Sequence, residues 1–391
     1  YGMGSPNVVK VYIGLEEAGL AYQVKPVAPN GSCAGATFTV TVLVNPGAYI
    51  TEMSTTVCSG VQFNISPQNG QNGVVPDLTT YNWSVPIMST SITGGDSNSY
   101  QSSIFGTLVN SSNVMRTAVY TVTPNVVSCD TYSSFTLTVY VNPTPKISAM
   151  STVICSGLQF EVSPTNGGTE IVPANTKYAW DIPAVSTASL TGGQSNSGQN
   201  SIYGTLTNNT NTSRTAVYTV TPTSTIGTCK GASFTVLVTV NPKAVINAIS
   251  TTICSGLTFN VSPADKLNGI VPDGTVYSWN PPAVSSVSLT GGQSNSSQTY
   301  ISGTLVNGTN VVRTAVYNIL PTSPLCGNNT SYTLTVFVNP KAEINAISTV
   351  ICSGVQFEIS PGDIINGIVP DGTKYSWELP VMQASLSGGQ S

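Results

Sequence analysis

Eight cysteines are the residues of this chain best placed to do chemistry, and the chemistry they suit is oxidation to disulfides. Four of them open a Cys-Ser-Gly tripeptide, at Cys58, Cys155, Cys254 and Cys352, in steps of 97, 99 and 98 residues. The other four, Cys33, Cys129, Cys229 and Cys326, keep a similar spacing and each precede an alternating apolar segment. Even, regular cysteine use without the close Cys-x-x-Cys spacing of metal sites reads as a disulfide framework formed in an oxidising, extracellular setting.

Other reactive groups are sparse. The 391 residues contain no histidine, so triads, Cys-His pairs and His-based zinc sites are absent. Only 7% of residues are charged, against about 25% in an ordinary soluble domain. The net charge of −4 and just three arginines argue against nucleic acid, whose phosphates need clustered cations. The recurring acids, Asp77, Asp273 and Asp371 in Val-Pro-Asp, are replaced by Ala174 in the second copy of the motif. With Asp265 and Asp363 they read as turn residues, because no run of alternating oxygen ligands supports a Ca²⁺ site. The Gly-Gly-Gln-Ser stretches lack the Lys and helix of a phosphate loop and read as turns. Arg116, Arg214 and Arg313 each open Arg-Thr-Ala-Val-Tyr and are expected to pair with a nearby carbonyl or carboxylate. No catalytic, cofactor-binding or metal residue is assigned, and no enzyme activity is expected.

The elements that must position these groups repeat with the same period. The tryptophans Trp83, Trp180, Trp279 and Trp377 step with the cysteines, as do the Asn-Pro pairs at Asn45, Asn142, Asn241 and Asn339. A unit of about 98 residues is too long for a solenoid repeat and right for one β-sandwich. Within each unit Phe135, Leu137, Val139 and Val141 alternate with Thr136, Thr138 and Tyr140, and Ala118, Tyr120 and Val122 do the same one strand earlier. Upstream lie Val61–Ile65, Tyr81–Val85 and Ile104–Leu108, parted by Gly, Asn and Pro clusters. About seven short strands per unit are the sandwich signature, and lettering them as in an immunoglobulin domain puts Phe63 on B, Trp83 on C, Tyr120 on F and Phe135 on G. The four tryptophans are expected in the cores.

The Ile-Cys-Ser-Gly opening, the Tyr-x-Trp of strand C, Thr-Ala-Val-Tyr-Thr-Val-Thr-Pro on strand F and the late cysteine before strand G together resemble PKD-like and Ig-like repeats of very large bacterial surface proteins. The gliding-motility adhesins that Bacteroidota-type bacteria export by the type IX secretion route are the best-known kind. The resemblance spans residues 21–391 and implies an architecture more than an activity.

The expected organisation is all-β, with tandem sandwiches arranged as a rod. It places a partial repeat with strands E to G at 1–46, repeats at 47–143, 144–242 and 243–340, and a partial repeat with strands A to C/D at 341–391. The two partial repeats together make one period, which implies completion by another copy or by continuing chain, since half a sandwich cannot bury its sheet alone. The first residues are also similar to the opening strand and helix of glutathione transferases, with Ser5 at the thiol position. A divergent strand E over Val8–Ile13 is the better reading, because Ala21 onward already follows the repeat.

Two disulfide schemes stand open. One closes each repeat on itself: Cys58–Cys129, Cys155–Cys229 and Cys254–Cys326. The other notes that the A–B and F–G turns of a sandwich lie at opposite ends, roughly 25 Å apart. That is far beyond the ~7 Å Cα limit of a disulfide. It would pair Cys58 with Cys229 and Cys155 with Cys326, stapling neighbouring repeats.

Each strand G runs through Val-Asn-Pro into the next strand A without a Gly/Ser linker, which predicts stiff junctions. No apolar run approaches the ~20 residues that cross a bilayer. The sequence reads as an extracellular structural or adhesive fibre on a cell surface, serving attachment or gliding, with itself as the expected partner. A filament subunit and a segment of one giant chain both fit. The rival is a carbohydrate-binding module, for which Tyr100, Tyr132, Tyr203 and Tyr300 are the loop aromatics.

Overall fold

Strands begin where Thr, Val, Tyr and Phe alternate, and the alternation sets which face is buried. A computed structural model describes residues 20–24, 38–42, 44–127, 129 and 133–390. Among these no helix occurs. The described residues pack as two compact units. The first runs up to Ile147 and includes Thr165–Lys177 and Pro222–Ala232; the second holds the remainder.

The first complete sandwich shows the plan. One sheet is built in the order Asn98–Gln101, strand C (Thr80–Trp83), strand F (Arg116–Asn125), strand G (Phe135–Asn142) and strand A′ (Met53–Cys58), with Ile87–Met88 also pairing F. The other has strand B (Gln62–Ile65), strand E (Ile104–Asn110) and strand D (Ile92–Gly94). F and G pair antiparallel, Arg116 opposite Val141 and Val122 opposite Phe135. A′ and G pair parallel, and their last partners are Cys58 and Asn142. The same sheet orders recur around strands Arg214–Thr223 and Phe234–Asn241, and again around Arg313–Ser323 and Tyr332–Asn339.

The sheets bury their facing residues. Ala118, Tyr120, Val122, Leu137, Val139 and Val141 are fully buried, as are their counterparts in the third sandwich, Ala315, Tyr317, Ile319, Leu334, Val336 and Val338. Phe63 meets Tyr120 edge-on with ring centroids 5.5 Å apart. Trp83, Trp180 and Trp279 are each 4% exposed, and each indole N–H donates to a backbone carbonyl, of Asp96, Gln194 and Gln293 respectively, at 3.0 Å.

Trp377 departs from its expected place in a core: it is 66% exposed. Residues 341–390 form only the short pair Glu343–Ile344 with Gly367–Ile368. In the complete sandwiches A′ and C take their ladder bonds from G and F, so segments without that pair have no edge to join. At the other end, Leu20–Val24 and Phe38–Val42 form an antiparallel hairpin, with Val24 opposite Phe38. This is the F–G register of the complete sandwiches. The expected strand at Val8–Ile13, Ser5, Cys33 and Tyr132 lie outside the described residues.

Candidate functional site

The Cys-Ser-Gly tripeptide divides its labour by residue. In Cys58-Ser-Gly, Gly60 takes a left-handed φ of 82°, which reverses the chain between A′ and B. Ser59 Oγ accepts from the Asn110 backbone N–H at 2.8 Å, and the Ser59 N–H donates to Asn142 O at 2.9 Å. The turn is thereby fixed against the last residue of strand G. Cys58 stands at that end, beside Asn142, while the F–G connection lies at the other end of strand G, about 24 Å along it.

The cysteine joins what comes next. Cys58 bonds Cys229 with Cα atoms 5.6 Å apart, and Cys155 bonds Cys326 with Cα atoms 5.7 Å apart. Each bond spans 171 residues of sequence and ties the A′–B turn of one sandwich to the F–G connection of the next. The closed-repeat scheme is therefore corrected: Cys229 and Cys326 are taken by the preceding repeat, because strand length holds the two cysteine positions of one sandwich apart. Among the described residues Cys254 and Cys352 have no disulfide partner, and both are exposed.

Around the first staple the chain is closely fitted. Gly227, with φ 71°, sits against Asn142, and a Cβ there would overlap the Asn142 amide nitrogen. Thr144 Oγ1 donates to Ser59 O at 3.2 Å, and Lys146 exchanges two backbone bonds of 2.9 Å with Ile171. Pro143 and Pro145 are buried, so the connecting segment has little freedom to swing.

A buried asparagine closes the same end of every sandwich and was not picked out by the sequence reading. Asn208, 1% exposed, donates to Thr212 O at 2.8 Å and to Val240 O at 2.9 Å, while its Oδ1 accepts from the Thr210 N–H and hydroxyl. Asn110 and Asn307 do the same. The only signal was its recurrence at the end of Gly-Thr-Leu-x-Asn, which an asparagine beside a turn does not distinguish from turn chemistry. Substituting Asn208→Ala strands the buried Val240 carbonyl and releases the part-exposed Thr212 carbonyl, and is expected to cost about 1–3 kcal/mol of urea-unfolding stability. Asn208→Asp is expected to cost more at neutral pH than at pH 3, because a carboxylate would face those carbonyls with no proton to donate.

The arginines contact a different acceptor from the expected carbonyl or carboxylate. Arg116, Arg214 and Arg313 donate through Nε to the hydroxyls of Ser112, Thr210 and Thr309 at 3.1–3.2 Å, and so brace the E–F turn that the asparagine organises. The acids serve turns. Asp265 Oδ1 and Asp363 Oδ1 accept the backbone N–H six residues on at 3.0 Å, where Asn69 and Asn166 do so in the first two sandwiches. Among the described residues no three His, Cys, Asp or Glu side chains gather as a metal site, and no helix is long and apolar enough to cross a membrane. The expected loop placement of the tyrosines is corrected: Tyr203 lies on strand Ile202–Asn208 and packs edge-on to Trp180 at 5.8 Å, Tyr100 lies on Asn98–Gln101 and is exposed, and only Tyr300, also exposed, stands outside a strand among those described.

Compared with known proteins, the chain matches the PKD-like domain family three times over, at residues 55–145, 152–244 and 251–342. No curated protein matches it. Similar solved structures include an I-band fragment of titin (12% identity, 75% of this chain and 97% of that one, TM-score 0.32). Another is the N-terminal four Ig domains of Dscam1 (9% identity, 83% and 80%, TM-score 0.23). A third is the three N-terminal domains of the bacteriophage RB49 outer capsid protein Hoc (14% identity, 73% and 96%, TM-score 0.27). Such repeats are typically non-catalytic, and disulfide-bonded sandwiches of this kind fit an extracellular, structural or adhesive setting. With three matched sandwiches covering more than half of its length, the chain belongs to the PKD-like domain family.

Proposed function

We propose that this chain is a stiff extracellular fibre element, which carries attachment or gliding forces at a bacterial surface. The observation that carries the reading is the staple: each bonded cysteine pair links one sandwich to its successor, so load can pass between repeats through covalent sulfur as well as through the backbone. Supporting it are the low charge, which leaves little repulsion between copies, and only 12 Lys and Arg, which offer few tryptic sites. Disulfides of this kind persist outside the reducing cytosol. The finer assignment to gliding adhesins exported by the type IX route rests on the motif resemblance alone. Electron microscopy of the purified protein tests the fibre. Expected are straight filaments whose persistence length falls severalfold on reduction; flexible or compact particles before reduction would sink the reading. Immunolabelling of intact cells tests the location.

A further inference from the structure

We propose that the cleft between the second and third sandwiches binds an acidic saccharide, a sugar unit that carries a carboxylate. The Arg214 guanidinium and the Lys266 ammonium take the carboxylate, and the polar side chains around them take the sugar hydroxyls. The proposal goes beyond the fibre reading above: it names what the chain holds, and it stands whether or not copies form filaments.

The cleft encloses about 420 Å³, within the ~300–1,000 Å³ of small-ligand sites, which favour junctions between domains. Both of its walls belong to the second compact unit. One wall is the second sandwich: Ser189 just before strand Leu190–Gly192, Asn209 and Asn211 in the E–F turn, and Arg214 at the head of strand Arg214–Thr223. The other is the loop of the third sandwich between Thr258–Val261 and Gly269–Ile270, which brings Asp265 and Lys266.

The groups that line it are held in place with donors to spare. Arg214 is half-buried, and its Nε donates to Thr210 Oγ1 at 3.1 Å. That bond fixes the guanidinium plane and leaves both Nη groups without a partner among the described residues. Two parallel N–H donors are the fork that a carboxylate accepts with both oxygens. The side-chain amides of Asn209 and Asn211 and the Lys266 Nζ are likewise without a partner among the described residues. Each amide offers both a donor and an acceptor to a hydroxyl.

Asp265 decides the class of ligand. Its Oδ1 accepts the Val271 N–H at 3.0 Å, which leaves Oδ2 as a further acceptor in the cleft. A carboxylate there repels a bare, multiply charged phosphate or sulfate, whereas a saccharide brings hydroxyl donors to it. The lysine is particular to this junction. Gly70, Gly167 and Ile364 stand at the corresponding place in the other repeats, each following Ser-Pro-x-Asn or Ser-Pro-x-Asp. Lys266 holds φ 66° there, the left-handed region that glycine adopts without cost.

The test uses the whole oxidised chain, ¹⁵N-labelled at arginine, because its three arginines give just three Nε–H resonances. The probe is an alginate oligosaccharide, built of uronate units; a neutral mannan oligosaccharide of equal length and inorganic sulfate are the controls. Expected with alginate is a saturable shift of one resonance, the one missing from Arg214→Lys, and no shift with either control. Lys266→Gly supplies the residue that the first two repeats carry at this position, so the fold is kept, and it should weaken alginate binding roughly fivefold or more. Added salt should weaken it as well. No shift with alginate overturns the proposal, as does movement of all three resonances together. So do an equal response to mannan, saturation by sulfate at the same concentration as alginate, and unchanged affinity in Lys266→Gly. Alginate binding in the absence of filaments would instead sink the fibre reading alone, and filaments that bind no alginate would leave that reading standing.

Discussion

Stretched from its two ends in oxidising buffer, the chain between Cys58 and Cys326 is expected to yield only about 250 Å, and roughly 900 Å after reduction, at ~3.4 Å per extended residue. The difference follows from the order of the cysteines. The loops closed by Cys58–Cys229 and Cys155–Cys326 overlap, so residues 155–229, the middle sandwich from its A′–B turn through strand F, lie inside both. Tension entering at Cys58 crosses to Cys229, and from there reaches Cys326 by the direct strand or by way of Cys155. The shorter branch, Cys155 to Cys229, is roughly 74 residues and limits the extension at ~3.4 Å each. Reduction releases all of the roughly 270 residues from Cys58 to Cys326, at the same ~3.4 Å each. Single-molecule force spectroscopy with and without reductant measures both lengths. A gain that arrives as separate increments of about 70 residues would mark bonds inside repeats, the arrangement that strand geometry disfavours.

Much of this architecture is legible in the residues, and the illegible parts share a cause. Alternation of Phe135, Leu137, Val139 and Val141 with threonines reveals a half-buried strand, because the side-chain period of a strand is two. The same alternation is silent about partners. Nothing in Met53–Cys58 announces that it will lie parallel to strand G, and it is this pairing that carries Cys58 to the far end of the sandwich. The cysteine pattern left two connectivities open; the distance between the ends of one strand separates them once that pairing is known. Asn110, Asn208 and Asn307 escaped notice because asparagine beside Gly and Ser reads as a solvated turn, whereas here its amide ties the turn to a buried carbonyl of strand G. The arginine acceptor was misjudged for a related reason: a charged donor suggests a charged or carbonyl partner, and the E–F turn instead offers a hydroxyl held in place by that asparagine.

Raising the pH above 10 is expected to unfold all three sandwiches over a narrow range. Burial pushes the phenols of Tyr120, Tyr178, Tyr218, Tyr277 and Tyr317 up to about 12 from an ordinary 10, with the Asp96 charge adding to the effect at Tyr120. Burial raises Tyr81 as well, and Tyr332 is raised further by burial and then by Tyr277. A phenol that holds its proton more tightly when folded stabilises the fold fully below pH 10 and loses that contribution as the pH climbs through its folded value. Two pH units correspond to at most about 2.7 kcal/mol per tyrosine. Each sandwich carries two or three raised phenols, at least one of them raised to about 12, so the loss is a large share of an ordinary domain's stability of about 5–15 kcal/mol. Near-ultraviolet absorbance and circular dichroism after a pH jump, with free thiols alkylated first, should show tyrosinate forming together with loss of structure between pH 10 and 12. The hydroxyls of Tyr120, Tyr218 and Tyr317 have no hydrogen-bond partner among the described residues, so replacing each by Phe removes an uncompensated buried group. The triple Tyr→Phe chain should therefore be at least as stable at pH 7 and unfold at higher pH. An alkaline transition that stays in place after those three substitutions would assign it to other groups.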